Sequence, residues 1–162
     1  MMALILAVVA VSVGVWQWRS PDAFAEQGSE AGIYNPVGTA ALVGVAAPRQ
    51  EMDPAVLTVH SVEPQITEGD AQVDVIVCHT GPGEDRIGAV RGPVDSYCES
   101  HGAPDGARLG PHDDFVLRVH SEKPGHVVIE GVKVTYSQGW RRGSQVTGLT
   151  VKVDFGTETV RD

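Results

Sequence analysis

Hydrophobic and polar residues alternate with a period of two along most of the chain after residue 55. The segment "DFVLRVHS" (114–121) places Phe115, Leu117 and Val119 on one face of an extended chain, with Asp114 and Arg118 on the other. Successive side chains of a strand point to opposite faces, so this alternation predicts strands with one face buried in a core.

Five segments show this pattern, and Gly, Pro or other turn-forming residues bound them. They are "AVLTVHSV" (55–62), "AQVDVIVCH" (71–79), "DFVLRVHS" (114–121), "HVVIEGVKVTYS" (126–137) and "TGLTVKVDF" (147–155). We interpret "AALVGVA" (40–46) as a further strand, with an apolar patch in a linker as the alternative. No window after residue 20 shows a helical apolar period with capping residues.

Closely spaced strands without helices between them predict an all-β domain. A parallel sheet would need long crossover connections, which are usually helical. We therefore expect two antiparallel sheets packed face to face, an immunoglobulin-like β-sandwich formed by residues 51–162. A small closed β-barrel is the alternative architecture.

The first 18 residues, "MMALILAVVAVSVGVWQW", are apolar and carry no charged side chain. As a helix this segment would span roughly 27 Å, close to the hydrocarbon thickness of a bilayer. Trp16 and Trp18 at its end are typical of a membrane interface. We predict a single-pass transmembrane anchor or a signal peptide in residues 1–18. The small-x-small sequence "AFA" (23–25) makes secretion after cleavage at Ala25 the alternative to a retained anchor.

Residues 19–50 are rich in Gly, Ala, Pro, Ser and acidic residues and show no sustained period. This composition predicts a flexible linker. The chain would thus divide into an anchor or signal peptide, a linker, and a β-sandwich that lies outside the cytoplasm.

Both cysteines, Cys78 and Cys98, flank a segment rich in Gly and Pro. Two cysteines in one small exported domain usually pair. Closing a loop of about 20 residues would stabilise the fold by roughly 3 kcal/mol in the chain-entropy model. We therefore favour a disulfide, with a metal site and free thiols as alternatives. The spacing differs from that of a redox Cys-x-x-Cys pair and from the pairing across the two sheets of antibody domains.

The formal net charge of −9, from 12 basic and 21 acidic side chains, argues against nucleic-acid binding, because phosphates are neutralised by Lys and Arg. The chain has no P-loop, no dinucleotide-binding glycine motif and no nucleophile elbow. We expect a non-enzymatic protein with no catalytic residues and no cofactor.

Imidazole and carboxylate groups lie near both cysteines and in the turn "GPHDDF" (110–115). Such groups can bind a metal ion. An extracytoplasmic metal-binding protein is therefore the alternative function, with ligands drawn from His79, His101, His112, Asp113 and Asp114. The simpler interpretation of the turn is an acidic loop that leads into a strand.

The segment "YSQGWRRGSQVTG" (136–148) separates two alternating runs and predicts a hairpin connection. It carries Trp140, Arg141 and Arg142, and Trp and Arg are the residue types that dominate binding hot spots. We predict a partner-binding loop at these three residues. The alternative is that Trp140 folds back onto the edge of the sandwich while the arginines pair with acidic neighbours.

The chain combines an apolar N-terminal segment, a Gly- and Pro-rich linker and a β domain that contains "YC" and "PGHVVIEGVKVTYSQGWRRGSQ". In this layout it resembles small exported or membrane-anchored β-sandwich proteins of actinobacterial type, a group without an assigned function. The resemblance covers residues 55–155 and implies no catalytic residues. We expect an interaction or structural module at the cell envelope, such as an accessory subunit with a protein partner.

Overall fold

The computed structural model describes residues 23–25, 28–49, 57–81 and 87–157. The predicted anchor or signal peptide, residues 1–18, lies outside these ranges. Within them the chain is all β apart from one short 3₁₀ helix. The all-β class expected from the alternating pattern is therefore confirmed.

Two five-stranded sheets pack against each other. In chain order the strands are β1 (Glu30–Pro36), β2 (Ala40–Ala46), β3 (Leu57–Glu68), β4 (Gln72–His79), β5 (Ala89–Arg91), β6 (Ser100–Gly102), β7 (Arg108–Leu109), β8 (Asp113–His120), β9 (Gly125–Gln138) and β10 (Arg141–Gly156). The first sheet has the order β1-β10-β9-β3-β7 and the second the order β5-β2-β8-β4-β6. The 3₁₀ helix Val94–Ser96 lies between β5 and β6.

The six predicted strands are all present, as β2, β3, β4, β8, β9 and β10. Their alternation places the expected residues in the core between the sheets. Phe115, Leu117 and Val119 of β8 are fully buried, as are Val132 and Val134 of β9. The two facing layers of apolar side chains hold the sheets together by removing this surface from water.

The connection predicted over residues 136–148 is much shorter than expected. β9 and β10 are joined by only two residues, Gly139 and Trp140, and the first pair of the ladder is Arg141 with Gln138. The ladder then continues to Thr147 before a bulge shifts the register. Polar residues occupy this part of β10 because Gln145 faces the N-terminal segment and the alternate positions face solvent.

One pairing departs from the expected antiparallel arrangement. β1 runs parallel to β10, with Glu30 opposite Thr150 and Pro36 opposite Gly156. The two strands are far apart in the chain, so no hairpin fixes their relative direction. The other ladders of both sheets are antiparallel.

The prediction of a flexible linker in residues 19–50 is wrong for the described part of that segment. It contains β1 and β2, and Ala23 and Phe24 are completely buried. The ring of Phe24 packs edge-on against Tyr136, with centroids 5.3 Å apart, and lies 5.7 Å from the ring centroid of Phe115. β2 was expected as a strand, whereas β1 was not, because its alternation carries few large apolar side chains.

The predicted disulfide between Cys78 and Cys98 is present, and both cysteines are buried. It belongs to a second apolar cluster, on the outer face of the second sheet, together with Leu42 and Val116. Partly buried side chains of the intervening loop, including Tyr97, cover this cluster. The disulfide therefore fastens a loop over the outside of one sheet and does not bridge the two sheets.

Candidate functional site

The exposed end of the β9–β10 hairpin is the strongest candidate for a contact surface. We call residues 138–142 the hairpin tip. Gly139 has a φ of 59°, whereas Trp140 has no positive φ, the sign pattern of a type II′ turn with glycine at its first position. This tight turn projects Trp140 outward, and its side chain is 68% exposed. The structure thus exposes Trp140 at the tip, and the binding of a partner there stays a prediction.

The two arginines of the tip point in different directions. Arg142 lies opposite Ser137 and is exposed on the outer face of the first sheet. Arg141 lies opposite Gln138, is partly buried, and donates a hydrogen bond from Nη2 to Gln138 Oε1 at 3.2 Å. Arg142 is therefore better placed than Arg141 to contact another molecule.

A second exposed arginine shares the outer face with Arg142. The ladder pairs run from Arg142 to Ser137, from Ser137 to Thr58, and from Thr58 to Arg108. Directly paired residues point to the same face, so the two arginines lie three strand spacings apart, about 14 Å. Sequence reasoning missed Arg108 because β7 has only two residues and carries no readable period.

The N-terminal segment docks beside this hairpin through hydrogen bonds as well as through Phe24. Ala23 N donates to Tyr136 Oη at 3.3 Å, and Gln145 Nε2 donates to Phe24 O at 2.9 Å. Thr147 Oγ1 then donates to Ala25 O at 2.9 Å. Phe24 thus lies at Gln145 and Ala25 at Thr147, so the segment runs along β10 away from the hairpin tip.

The five residues of the alternative metal-binding prediction do not converge. His79 and Asp113 meet, with 2.5 Å between Nδ1 and Oδ1, whereas Asp114 belongs to the opposite face of β8. His101 instead contacts Asp95, with 3.0 Å between Nε2 and Oδ1. Across the described ranges, no group of three or more His, Cys, Asp or Glu side chains is arranged to hold a metal ion.

His79 and Asp113 nevertheless form an ordered pair at the end of the second sheet. Asp113 Oδ2 also accepts a hydrogen bond from Gly110 N at 2.6 Å, so both carboxylate oxygens are engaged. The exposed Ser100 lies opposite His79 in the β4–β6 ladder. The strand register places these three side chains in one row across the sheet. No local sequence motif predicts this arrangement, because the residues lie far apart in the chain.

Two clefts in the described part of the molecule are too small for a typical ligand pocket, which measures about 300–1,000 Å³. One, of about 140 Å³, is lined by residues 44–47, Ile87, Asp114 and Leu149. The other, of about 210 Å³, is lined by residues 70–72 and 120–123. Neither cleft includes the hairpin tip.

Within the described ranges no helix has the length and apolar character needed to cross a bilayer. No protein-family model matches the chain, and no curated protein matches its sequence.

Proposed function

We propose that this protein is a membrane-anchored interaction module of the cell envelope, a non-enzymatic accessory subunit whose β-sandwich lies outside the cytoplasm. Residues 1–18 would serve as its single-pass anchor. The observation that carries this proposal is the burial of Phe24, six residues beyond the final residue of the apolar segment. A retained anchor would be joined to the sandwich almost directly, without the long linker expected from composition.

The burial of Phe24 also favours a retained anchor over a cleaved signal peptide. Cleavage after Ala25 would remove Ala23 and Phe24 from the core and expose the rings of Phe115 and Tyr136. Loss of a buried Phe side chain costs about 3–5 kcal/mol, out of a typical total stability of 5–15 kcal/mol. Selection for a stable domain would act against cleavage at that position.

The disulfide supports an extracytoplasmic location for the sandwich. Disulfides form and persist in oxidising compartments and are rare in the reducing cytosol. The bond between Cys78 and Cys98 joins residues 20 apart in the sequence, and both sulfurs are buried, as expected of a structural bridge.

We further propose that the sandwich is immunoglobulin-like. Immunoglobulin domains place strands C, F and G in one sheet and B, E and D in the other. Lettered in this way, β3, β9 and β10 take the positions of C, F and G, while β2, β8 and β4 take those of B, E and D. This arrangement serves many unrelated binding and structural functions, so it supports an interaction module without naming its partner.

The proposal predicts where the protein is found and where its N-terminus lies. Full-length protein should stay in the membrane pellet after alkaline extraction and should be digested by protease added to cells with a permeable outer layer. Intact-mass measurement should show that residues before Ala23 are retained and that Cys78 and Cys98 are oxidised. A mature chain beginning at Glu26, or a chain with two alkylatable thiols, would contradict the proposal.

Affinity capture of the full-length protein from solubilised membranes tests whether it is an accessory subunit with a protein partner. We expect the same envelope protein to co-purify in repeated captures. Trp140→Ala and Val146→Ala make a matched pair of variants, because both remove an exposed apolar side chain from the same hairpin. Capture that is lost with the first variant alone would assign the protein partner to the hairpin tip.

A further inference from the structure

We propose that the hairpin tip rests on the membrane surface and binds the headgroups of anionic phospholipids. This inference rests on the proposed anchor and names the partner of the exposed Trp140. Four observations carry it: the position of the tip relative to the N-terminal segment, the short spacer, the local charge, and the residue types at the tip.

The N-terminal segment and the hairpin tip lie at the same end of the sandwich. Ala23 contacts Tyr136, and the chain from Ala23 to Ala25 runs away from the tip along β10. Followed backwards, the backbone at Ala23 therefore points toward the tip. Strands advance about 3.4 Å per residue, so Gly139 lies about 10 Å beyond the level of Tyr136 in that same direction.

The spacer between the apolar segment and the sandwich is short. Five residue steps separate Trp18 from Ala23, and a fully extended chain spans at most about 3.6 Å per residue, or about 18 Å in all. The spacer thereby holds the sandwich close to the end of the apolar segment. The tip projects about 10 Å into the space that the spacer spans. The remaining distance is comparable with the thickness of the headgroup layer, about 5–8 Å on each side of the hydrocarbon core.

At the hairpin tip and its nearest ladder partners in the first sheet, the charge is opposite in sign to that of the whole chain. The tip and the strand residues that pair with its first two ladder positions, residues 57–58, 108–109 and 137–142, contain three arginines and no acidic residue. The full chain has a net charge of −9. Arginines near an anionic bilayer surface are attracted to phosphate groups.

Trp140 adds the apolar component of an interfacial contact. Trp is enriched at membrane–water interfaces, where its ring lies at headgroup level. Its 68% exposure places the ring outside the sandwich, at the most distant point of the β9–β10 hairpin. A protein partner could also use Trp and Arg, but the short spacer leaves little room for one between the tip and the bilayer.

Tryptophan fluorescence of the full-length protein can test this inference. The chain has three tryptophans, so replacing Trp16 and Trp18 by Phe leaves Trp140 as the only fluorophore and keeps the segment apolar. The protein would be placed in nanodiscs of equal parts phosphatidylcholine and phosphatidylglycerol, with bromine on the acyl chains near the headgroup. We expect a blue-shifted emission and about a twofold quenching, as for a Trp at headgroup level.

A matched probe distinguishes contact of the tip from general proximity to lipid. In a second variant Trp140 is also replaced by Phe, and Val146→Trp supplies the fluorophore. Val146 is 59% exposed on the same hairpin, about 20 Å from the tip at 3.4 Å per residue. We expect this probe to be unquenched. Equal quenching of both probes, or of neither, overturns the inference.

The charge component has its own test in the same nanodiscs. Arg108→Gln with Arg142→Gln should reduce the quenching of Trp140 several-fold, and so should molar salt, because the Debye length then falls to about 3 Å. Unchanged quenching in both tests would contradict binding to anionic headgroups. A chain that fails to co-elute with nanodisc lipid overturns the proposed anchor, whereas a co-eluting chain with unquenched Trp140 overturns only the membrane contact.

Discussion

At the scale of single residues, Phe24 shows how a side chain can decide the extent of a domain. In the sequence it stands between two alanines, in a context typical of a cleavage site. In the structure its ring is completely buried against Phe115 and Tyr136. No local pattern distinguishes these situations, because the space that receives the ring is formed by strands about a hundred residues later in the chain.

Replacing Phe24 by Ala should lower the free energy of unfolding by about 3–5 kcal/mol, since it removes a buried ring and leaves a cavity. Urea unfolding of a chain that begins at residue 19 would measure this loss. Val146→Ala is the control and should change stability by less than about 0.5 kcal/mol, because Val146 is a largely exposed side chain. Equal stabilities of the two variants would show that the N-terminal segment is not part of the core.

At the scale of elements, the loop closed by the disulfide illustrates what sequence could and could not predict. The pairing of Cys78 with Cys98 followed from export and loop composition. The strand β5 inside that loop did not, because the three residues "AVR" are too few for a period. β5 forms because Ala41, Leu42 and Val43 of β2 are its pairing partners. This pairing depends on the tertiary structure and not on the local sequence.

Replacing both Cys78 and Cys98 by Ala should destabilise the protein by roughly 3 kcal/mol, the entropy of freeing a loop of about 20 residues. Hydrogen exchange should also show a local effect. Amide protons of β5 should exchange much faster in the variant, whereas those in the centre of β9 should follow the change in global stability. Unchanged protection of β5 would mean that packing on the outer face orders the loop without the disulfide.

At the scale of the whole molecule, the sequence predicted two packed β-sheets but not which strands form each sheet. Five alternating segments and one further predicted strand were sufficient for a β-sandwich, because each requires a partner for its buried face. The order of strands within the sheets depends on pairings between distant residues, such as β3 with β9, which no local pattern encodes. For the same reason the basic residue Arg108 was assigned to the hairpin end only by the structure.

The correct extent of the domain leads to a test of the whole fold. A chain of residues 51–162, the domain expected from composition, should not fold, because it lacks β2. That strand lies between β5 and β8 and contributes Leu42, Val43 and Val45 to the two apolar clusters. A chain of residues 19–162 should give dispersed NMR amide signals and a cooperative thermal transition. Cooperative unfolding of the shorter chain would contradict this boundary.

The parallel pairing of β1 with β10 has a consequence for biosynthesis. The strand β10, which follows the other described strands in the chain, lies second in its sheet, between β1 and β9. The hydrogen bond from Phe24 N to Gln145 Oε1 likewise joins residues separated by 121 positions. Neither contact can form while the ribosome still holds the final strand, and contacts between such distant residues make folding slow. The first sheet must therefore stay incomplete until β10 has been made, which is compatible with passage through a translocation channel in an unfolded state.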